Sequence, residues 1–408
     1  MAPTLDLDFV RAQFPAFAVE RLGGQGFFDN AGGSYMCGPV MERLDRFFRE
    51  RKVQPYGPYE ASRLGGEEMD EARQRLAAMM GVDTDELSFG PSTTQNTYVL
   101  SQAFRQWMSP GDAIIVTNQD HEANSGPWRR LADEGFEVRE WQIDPQTGHL
   151  DPAKLDTLLD DKVRLVCFPH CSNVVGEIND VAAVVSRIHD AGALACVDGV
   201  SYAPHGLPDV GALGADIYLF SAYKTYGPHQ GVMVIRRALA EQLPNQAHFF
   251  NGDVLYKKFT PAGPDHAQVA ACAGMADYID LLHARHFGTE TDPRIRATRV
   301  HDLMREQEIA LLQPLLDYLK SKNSVRLLGP TRAEGRAPTV ALTANRPGAD
   351  LAEALAPHEI NAGGGDFYAV RPLKALGVGE EGVLRLSFVH YTSEGDIDRL
   401  IRALDHVL

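Results

Sequence analysis

Short apolar segments alternate with amphipathic helical segments between about residues 85 and 240. Helical patterns fit between the apolar runs, as at 181–192, where a glycine ends the pattern at a position suited to a C-cap. The apolar runs lack regular polar alternation, which is typical of strands buried on both faces of a sheet. This order predicts an α/β fold whose mostly parallel sheet is covered by helices. The predicted strands are AIIVT at 113–117, VRLVCF at 163–168, ALACVD at 193–198, DIYLFS at 216–221 and GVMVI at 231–235.

A second alternation follows a long helical stretch at about 298–322. It includes the segments VRLL, PTVALT, DLAEALAPHEI and VLRLSFV, and then a terminal helix from about Ser393. We therefore predict a smaller C-terminal α/β domain over 298–408. No internal repeat or low-complexity linker separates the two alternations, so we expect a tight interface between the domains.

Composition and charge narrow the class of protein. The 408 residues are 44% hydrophobic, which is ample for a buried core. Lys and Arg total 39 against 55 Asp and Glu, and the net charge of −16 argues against a nucleic-acid partner. No apolar run reaches about 18 residues, and the acidic N-terminus lacks signal-peptide features. We expect a cytoplasmic protein with no membrane partner.

The cysteines argue against a metal centre and against disulfides. They are five in number and dispersed, without a C-x-x-C pair, so neither a disulfide framework nor a zinc site is expected. Buried thiols are the simplest interpretation. The five are Cys37, Cys167, Cys171, Cys196 and Cys272.

Polar segments follow the carboxyl ends of the apolar runs, where open α/β sheets bind their ligands. Lys224 lies in one of them beside Tyr223, Tyr226 and Pro228, which would desolvate its amine and suit it to Schiff-base chemistry. A structural surface lysine is the alternative. The segments are GPSTTQN at 90–96, DHEAN at 120–124, PHCSNVVGE at 169–177, DGVSY at 198–202 and SAYKTYGPHQG at 221–231.

Asp198 ends an apolar strand, where a carboxylate is costly unless it meets a cation or hydrogen-bond donors. The protonated nitrogen of a pyridine ring is such a cation, and the pair would let the ring accept electrons from a substrate α-carbon. A metal ligand or a helix cap is the alternative for Asp198.

Three further sites along the chain can each be interpreted either as a binding site or as a simpler structural feature. Ser92, Thr93 and Thr94 precede a predicted helix and suit either a phosphate site or a helix cap. His121 would stack on a ring or lie in a solvent-facing turn, and Asn173 would donate to a phenolic oxygen or serve as a turn residue. Together with Lys224 and Asp198, these three sites follow the ends of predicted strands in a compatible order along the chain. This arrangement favours a pyridoxal 5'-phosphate (PLP) site.

These residues resemble the class V aminotransferases of PLP fold type I, and within them the cysteine desulfurase-like proteins. The similarity spans nearly the whole chain, and the 26 positions between Asp198 and Lys224 match the family spacing. It implies a fold type I PLP enzyme that is homodimeric, with its active site at the subunit interface and a small amino-acid substrate. The matching motifs are FFDNAGGS, STT, DHEAN, SNVVGE, DGVS, SAYKTYGPHQG and LRLSFVHYTSEGDIDRLI.

The resemblance implies a role for each site residue. It makes Lys224 the Schiff-base lysine, Asp198 the partner of the pyridine nitrogen, His121 the ring-stacking residue and Asn173 a contact to the phenolic oxygen. Thr93, Thr94, Ser221 and Tyr223 would form the phosphate cradle, with Ser92 at the same helix start, and Ser201 would be a further cofactor-binding residue. The family more often has histidine at the position of Tyr223 and glutamine at that of Ser201.

The substrate side of the site is implied in the same way. Arg385 matches the arginine that holds the substrate carboxylate, and Asn30 belongs to the same pocket. The N-terminal segment 1–35 would thus contribute to the pocket, and 36–297 would form the large PLP-binding domain. The loop 261–268 matches one that a second subunit lends to the phosphate, although Pro264 replaces the usual threonine, and Asp265 and His266 would line the interface.

The sequence departs from cysteine desulfurases at the loop that carries their nucleophilic cysteine. The corresponding stretch, 361–377, has no cysteine and offers Asp366, Tyr368 and Arg371 instead. We therefore expect a lyase-type elimination such as C–S cleavage without an enzyme persulfide. An aminotransferase or an amino-acid epimerase is the alternative on the same scaffold.

Two rival classes are less favoured. A nicotinamide dehydrogenase would need a G-x-G-x-x-G after a strand, and none is present. A non-catalytic PLP-fold binding protein would have no reason to keep Lys224, Asp198 and Arg385 together.

Overall fold

The computed structural model describes residues 3–408. Its strands and helices alternate in the order that the sequence predicts. The strands are β1 Gly26–Phe27, β2 Leu87–Gly90, β3 Ala113–Thr117, β4 Glu137–Trp141, β5 Val163–Pro169, β6 Leu194–Asp198, β7 Ile217–Ser221, β8 Gly231–Ile235, β9 Arg326–Leu327, β10 Thr339–Thr343, β11 Ile360–Asn361, β12 Gly363–Gly365 and β13 Val383–Ser387. The α-helices are α1 Leu7–Ala12, α2 Glu20–Gly23, α3 Gly38–Arg46, α4 Glu60–Met79, α5 Thr93–Trp107, α6 Glu122–Arg129, α7 Pro152–Asp156, α8 Val181–Asp190, α9 Val210–Leu213, α10 Arg237–Gln242, α11 Leu255–Lys258, α12 His266–Ala271, α13 Ala273–Phe287, α14 Pro293–Lys320, α15 Gly348–Leu355, α16 Val370–Ala375 and α17 Glu394–Val407.

The large sheet has the strand order β2-β8-β7-β6-β5-β3-β4 among the residues described. Its pairs are parallel except for those that β8 makes with β7 and β2. Side chains of β3 pack into cores on both faces, with Ala113 and Ile115 on one side and Ile114 and Val116 on the other. The predicted α/β fold with a mostly parallel, helix-covered sheet is confirmed.

The predicted strands agree closely with the observed ones. The strands at 113–117 and 231–235 have the predicted bounds, and the other three differ by one residue at one end. The sequence pattern missed β4, whose residues Glu137 and Arg139 are polar because the strand lies at the edge of the sheet. An edge strand is exposed, so it does not show the apolar pattern of a buried one.

The small sheet has the order β12-β13-β10-β9 and is antiparallel. Helix α14 connects the two cores, since Ala297 and Val300 pack in the core of the large sheet, whereas Leu311 and Leu315 pack in the core of the small one. The proposed domain boundary at 298 therefore falls inside a continuous helix. It stays a prediction.

The N-terminal segment joins both domains next to Lys224. β1 pairs with β11 of the small domain, and Asp29 forms a bridge with Ser387 at the end of β13. Ser34 bonds to the large domain, because its backbone N–H donates to Tyr223 O at 3.1 Å and its Oγ accepts from Tyr226 N at 2.8 Å. These bonds place residues 29–34 beside the turn that carries Lys224.

Within residues 3–408, no helix is both long enough and apolar enough to cross a membrane.

Candidate active site

A cavity of about 750 Å³ lies at the carboxyl ends of β3, β5, β6 and β7. The N-terminus of α5 and parts of the small domain close its other sides. The predicted site residues meet here, apart from Asn30. Those that line the cavity are Ser92, Thr93, Thr94, His121, Asn173, Asp198, Ser201, Ser221, Tyr223, Lys224 and Arg385.

One end of the cavity suits an anion. Ser92 caps α5 by accepting from Gln95 N at 3.1 Å, and the first N–H groups of the helix have no partner within the helix. The hydroxyls of Thr93 and Ser221 lie 2.8 Å apart and so link the helix start to the end of β7. A Cβ at Gly231 would come within 2.4 Å of the Ser92 backbone, so glycine is required where β8 passes the helix start.

Lys224 lies in a short helical turn directly after β7. Burial and the positive charge of Arg385 lower the pKa of its amine to about 8, although Asp198 and Asp29 oppose that shift. Tyr226, two residues after Lys224, has a left-handed backbone with φ of 63°, which is strained for a bulky side chain. A lysine with a lowered pKa has a larger fraction of nucleophilic amine near neutral pH.

Two buried carboxyls lie at the base of the cavity. Asp198 ends β6 and accepts from Val200 N at 2.8 Å, and burial raises its pKa to about 6. Asp120 follows β3 and accepts from Asn124 Nδ2 at 2.6 Å. Burial and the nearby Asp198 raise the pKa of Asp120 well above its usual value, and its Oδ1 has no partner within residues 3–408. A cation between these groups would relieve the cost of burying negative charge.

His121 is the N-cap of α6, where its Nδ1 accepts from Ala123 N at 3.0 Å. Burial and the charges of Lys224 and Arg385 lower the pKa of the imidazole to about 3. The ring is therefore neutral at physiological pH, and its proton lies on Nε2. It is half-buried in the cavity wall rather than in a solvent-facing turn.

Asn173 connects the large domain to the segment where desulfurases carry their cysteine. Its Nδ2 donates to Phe367 O at 3.0 Å, while its buried Oδ1 has no partner in the described chain. Glu122 N donates to Tyr368 O at 2.9 Å. Phe367 and Tyr368 both have left-handed backbones, with φ of 54° and 55°. Two strained residues in succession indicate that these contacts hold the segment in place.

Arg385 projects from β13 into the cavity, where it is already paired. Its Nη2 lies 3.1 Å from Asp29 Oδ1, and the Phe367 ring covers the guanidinium at 3.8 Å. Burial lowers the pKa of Arg385, and Asp29 opposes that effect. The predicted carboxylate-binding arginine is therefore in the cavity with an internal carboxylate beside it.

Asn30 is the one predicted site residue that the structure does not bring into the cavity. It is 2% exposed and accepts from Tyr391 Oη at 2.6 Å. Its neighbour Asp29 lines the cavity instead, as does Asp120 beside His121. Both positions lie in the FDN and DHE motifs, but only the geometry shows that Asp29 lines the cavity in place of Asn30, and that Asp120 lines it together with His121. Further lining residues that the sequence did not single out are Tyr98, Arg130, His229 and Phe367.

All five cysteines are buried and free. Cys171 borders the cavity, but its Sγ bonds to Gly176 O at 3.5 Å, and burial raises its pKa to about 12. In the stretch 361–377, Tyr368 reaches the cavity, whereas Arg371 pairs with Glu140. A thiolate is thus unfavourable at the cysteine that borders the cavity.

The residues present fit PLP. A helix start with hydroxyls suits its phosphate, a buried carboxyl suits its ring nitrogen, and a lysine with a lowered pKa suits its aldehyde. Asp120 Oδ1, which has no partner within residues 3–408, can still accept a hydrogen bond from a ligand at the base of the cavity.

Comparisons with known proteins give the same class of protein as the residues of the cavity. The family model for aminotransferase class-V matches residues 26–400. A solved apo structure of cysteine desulfurase from Thermococcus onnurineus NA1 superposes with a TM-score of 0.85 at 22% identity, over 100% of this chain and 99% of that one. That likeness concerns the fold, which is the PLP fold type I. The family match makes the protein a PLP-dependent enzyme by class.

The chain belongs to the class-V aminotransferase family. It is 35% identical to the aminotransferase-like protein FGM3 of Gibberella zeae, over 99% of both chains. It is 28% identical to a cysteine desulfurase of Serratia proteamaculans, over 98% of both. The resemblance drawn from the motifs is confirmed.

Proposed function

We propose that this chain binds PLP covalently at Lys224 and acts on a small α-amino acid. The observation that carries the proposal is the convergence of three groups in one cavity: the Lys224 amine, the Asp198 carboxyl and the N-terminus of α5. Each alone has a structural explanation. Together they match the aldehyde, the ring nitrogen and the phosphate of one ligand.

When bound, PLP supplies an electron sink for negative charge that develops at the substrate α-carbon. Asp198 holds the proton on the ring nitrogen, because a buried carboxylate stabilises an adjacent cation. Thr93, Thr94, Ser221 and Tyr223 bind the phosphate with the amides of α5. The neutral ring of His121 would stack on the cofactor, and Asn173 would orient it.

Lys224 and Arg385 act on the substrate. Arg385 binds the α-carboxylate and so fixes the direction of the bond that is broken. Lys224 takes the proton from the α-carbon and returns one later, a task that suits an amine with a pKa of about 8. Phe367 and Tyr368 line the small-domain side of the cavity, where the Phe367 ring would shield Arg385 from water.

We propose a β-elimination such as C–S cleavage, in which sulfur leaves as a free small molecule. The buried Cys171 and the absence of cysteine from 361–377 support release without an enzyme persulfide. Transamination is the second candidate, which the 35% identity to an aminotransferase-like protein favours. Epimerisation would use the same residues with a different site of reprotonation.

We also propose a homodimer whose second subunit completes the phosphate end. A further cavity of about 510 Å³ adjoins Ser92 and His229 and is lined by the loop 259–265. The side chain of Asp265 caps α12 and so fixes where the loop ends, and a second copy would pack against this side of the cavity.

The reaction is tested by mixing the PLP-loaded protein with a panel of amino acids. Products are identified by mass spectrometry while the cofactor absorbance is followed. A keto acid with free sulfide or thiol supports elimination, and conversion of PLP to its amine form supports transamination. After reaction with thio-amino acids, alkylation should find no cysteine persulfide formed at the turnover rate, and such a persulfide on Cys171 would overturn this mechanism.

A further inference from the structure

Arg385 has few free donors in the cavity. Besides the contact with Asp29, its Nη1 donates to Asn173 O at 3.4 Å, and its buried Nε has no partner within residues 3–408. Only 4% of the Arg385 side chain is exposed, against 39% of that of Asp29. The guanidinium is therefore fixed in place, and the carboxylate beside it faces the open cavity.

Within residues 3–408, Arg385 is the only side chain that holds the Asp29 carboxylate. Among the described residues its side chain forms no other hydrogen bond, whereas its backbone is anchored by the bridge to Ser387. A Cβ at Gly32 would lie 2.9 Å from Asp29 Oδ2, so glycine there makes room for the carboxylate in its paired position. Because 39% of the side chain is exposed and Arg385 is its one side-chain partner within residues 3–408, the carboxylate can leave Arg385 while the main chain stays in position.

Two carboxylates cannot both pair fully with one buried guanidinium, because their like charges repel. A ligand with a carboxylate must displace Asp29, whereas a ligand without one leaves the existing pair intact. Without Asp29, a ligand lacking a carboxylate would leave Arg385 buried and unpaired, which is strongly unfavourable.

We infer that Asp29 is an internal counter-ion that competes with the substrate carboxylate for Arg385 and thereby sets specificity. It weakens binding of α-amino acids with a free carboxylate, and it makes the site tolerant of amides, esters or amines of the same shape. This inference rests on the proposed function, in which Arg385 holds the carboxylate.

The test compares propionate with the neutral, similarly shaped propionamide, by calorimetry on the PLP-loaded protein. Propionate should bind at least about tenfold more tightly to the Asp29→Asn variant than to the wild type. The affinity for propionamide should not increase. Glu122→Gln is the charge-matched control, since Glu122 also lines the cavity but pairs with Arg129. It should change propionate binding by less than about fivefold.

Equal or weaker propionate binding in Asp29→Asn would overturn the inference, because Asp29 would then only orient Arg385. A gain in Glu122→Gln as large as in Asp29→Asn would also overturn it, since general charge would explain the effect. Arg385→Lys distinguishes a failure of the proposed carboxylate site from a failure of the proposed counter-ion. If it leaves propionate binding unchanged, the proposed carboxylate site itself fails; if it weakens binding while Asp29→Asn brings no gain, only the counter-ion fails.

Discussion

The two halves of the cavity are assembled in different ways. The strand-end half, formed by Thr93, Asp198 and Ser221 with Lys224, comes from the ends of neighbouring strands and a helix start in one domain. The small-domain half joins Arg385 to Asp29, which is 356 positions away in sequence. The first half follows from the local order of strands and helices, whereas the second depends on the docking of the N-terminal segment and the small domain.

This difference predicts which substitutions affect which property. Changes in the strand-end half should lower turnover, because the proposed function assigns the chemistry to those residues. Changes in the small-domain half should mainly alter substrate affinity and selectivity. A variant that behaves in the opposite way would break the comparison.

The largest effect is expected at Asp198. Asp198→Ala should lower turnover by about 100-fold or more, because the ring nitrogen loses the group that keeps it protonated. His121→Ala should cost less than about tenfold, since stacking contributes only about 0.5 to 1.5 kcal/mol. Turnover of the two PLP-loaded variants with the best substrate of the panel provides the measurement. Asp198→Asn retains the bond from Val200 N and controls for loss of local structure. Equal losses at Asp198 and His121 would contradict their roles.

A smaller and different effect is expected at Arg385. Arg385→Lys retains the charge but loses the two-pronged contact, so the KM for an α-amino acid should rise about tenfold with little change in kcat. Steady-state kinetics give the two constants separately. A fall in kcat at unchanged KM would move Arg385 from substrate binding to the chemical step and would break the division between the halves.

The mildest test varies only the pH. Because the pKa of Lys224 is lowered to about 8, its amine is mostly protonated below that pH and mostly neutral above it. The rate of covalent PLP attachment to the cofactor-free protein should rise about tenfold per unit below pH 8 and level off above. Stopped-flow absorbance follows the attachment. The reference is a free lysine analogue with the ordinary pKa of about 10.4, for which the attachment rate should still be rising at pH 9.

Sequence reasoning reached the strand-end half almost completely. Asp198 and Lys224 were predicted because each lies at or just after the end of an apolar run that is typical of a buried strand. Ser92 was identified because serine is a common N-cap residue at the start of a helix. On the substrate side, the family resemblance implied Asn30, whereas Asp29 is the residue that lines the cavity. Which of two adjacent residues faces inward is decided by the pairing of the segment with Ser387, and this pairing leaves no periodic signal in a short loop.

The small-domain half shows the same limit at Phe367. The absence of cysteine from 361–377 was plain in the sequence, but the ring of Phe367 over Arg385 was not. That contact requires a left-handed backbone at two non-glycine residues, which local preferences disfavour. Tertiary contacts with Asn173 and Glu122 outweigh the local preference, and sequence patterns do not report such contacts.

The central claim is that Lys224 carries the cofactor, and one measurement tests it directly. Borohydride reduces the C=N bond that a lysine amine forms with an aldehyde, so reduction of the PLP-loaded protein should fix the cofactor irreversibly. Peptide mapping by mass spectrometry should find the label on Lys224, and Lys224→Ala should yield no labelled peptide. A label on another lysine of the wild-type protein, or an equally strong label in Lys224→Ala, would contradict the account.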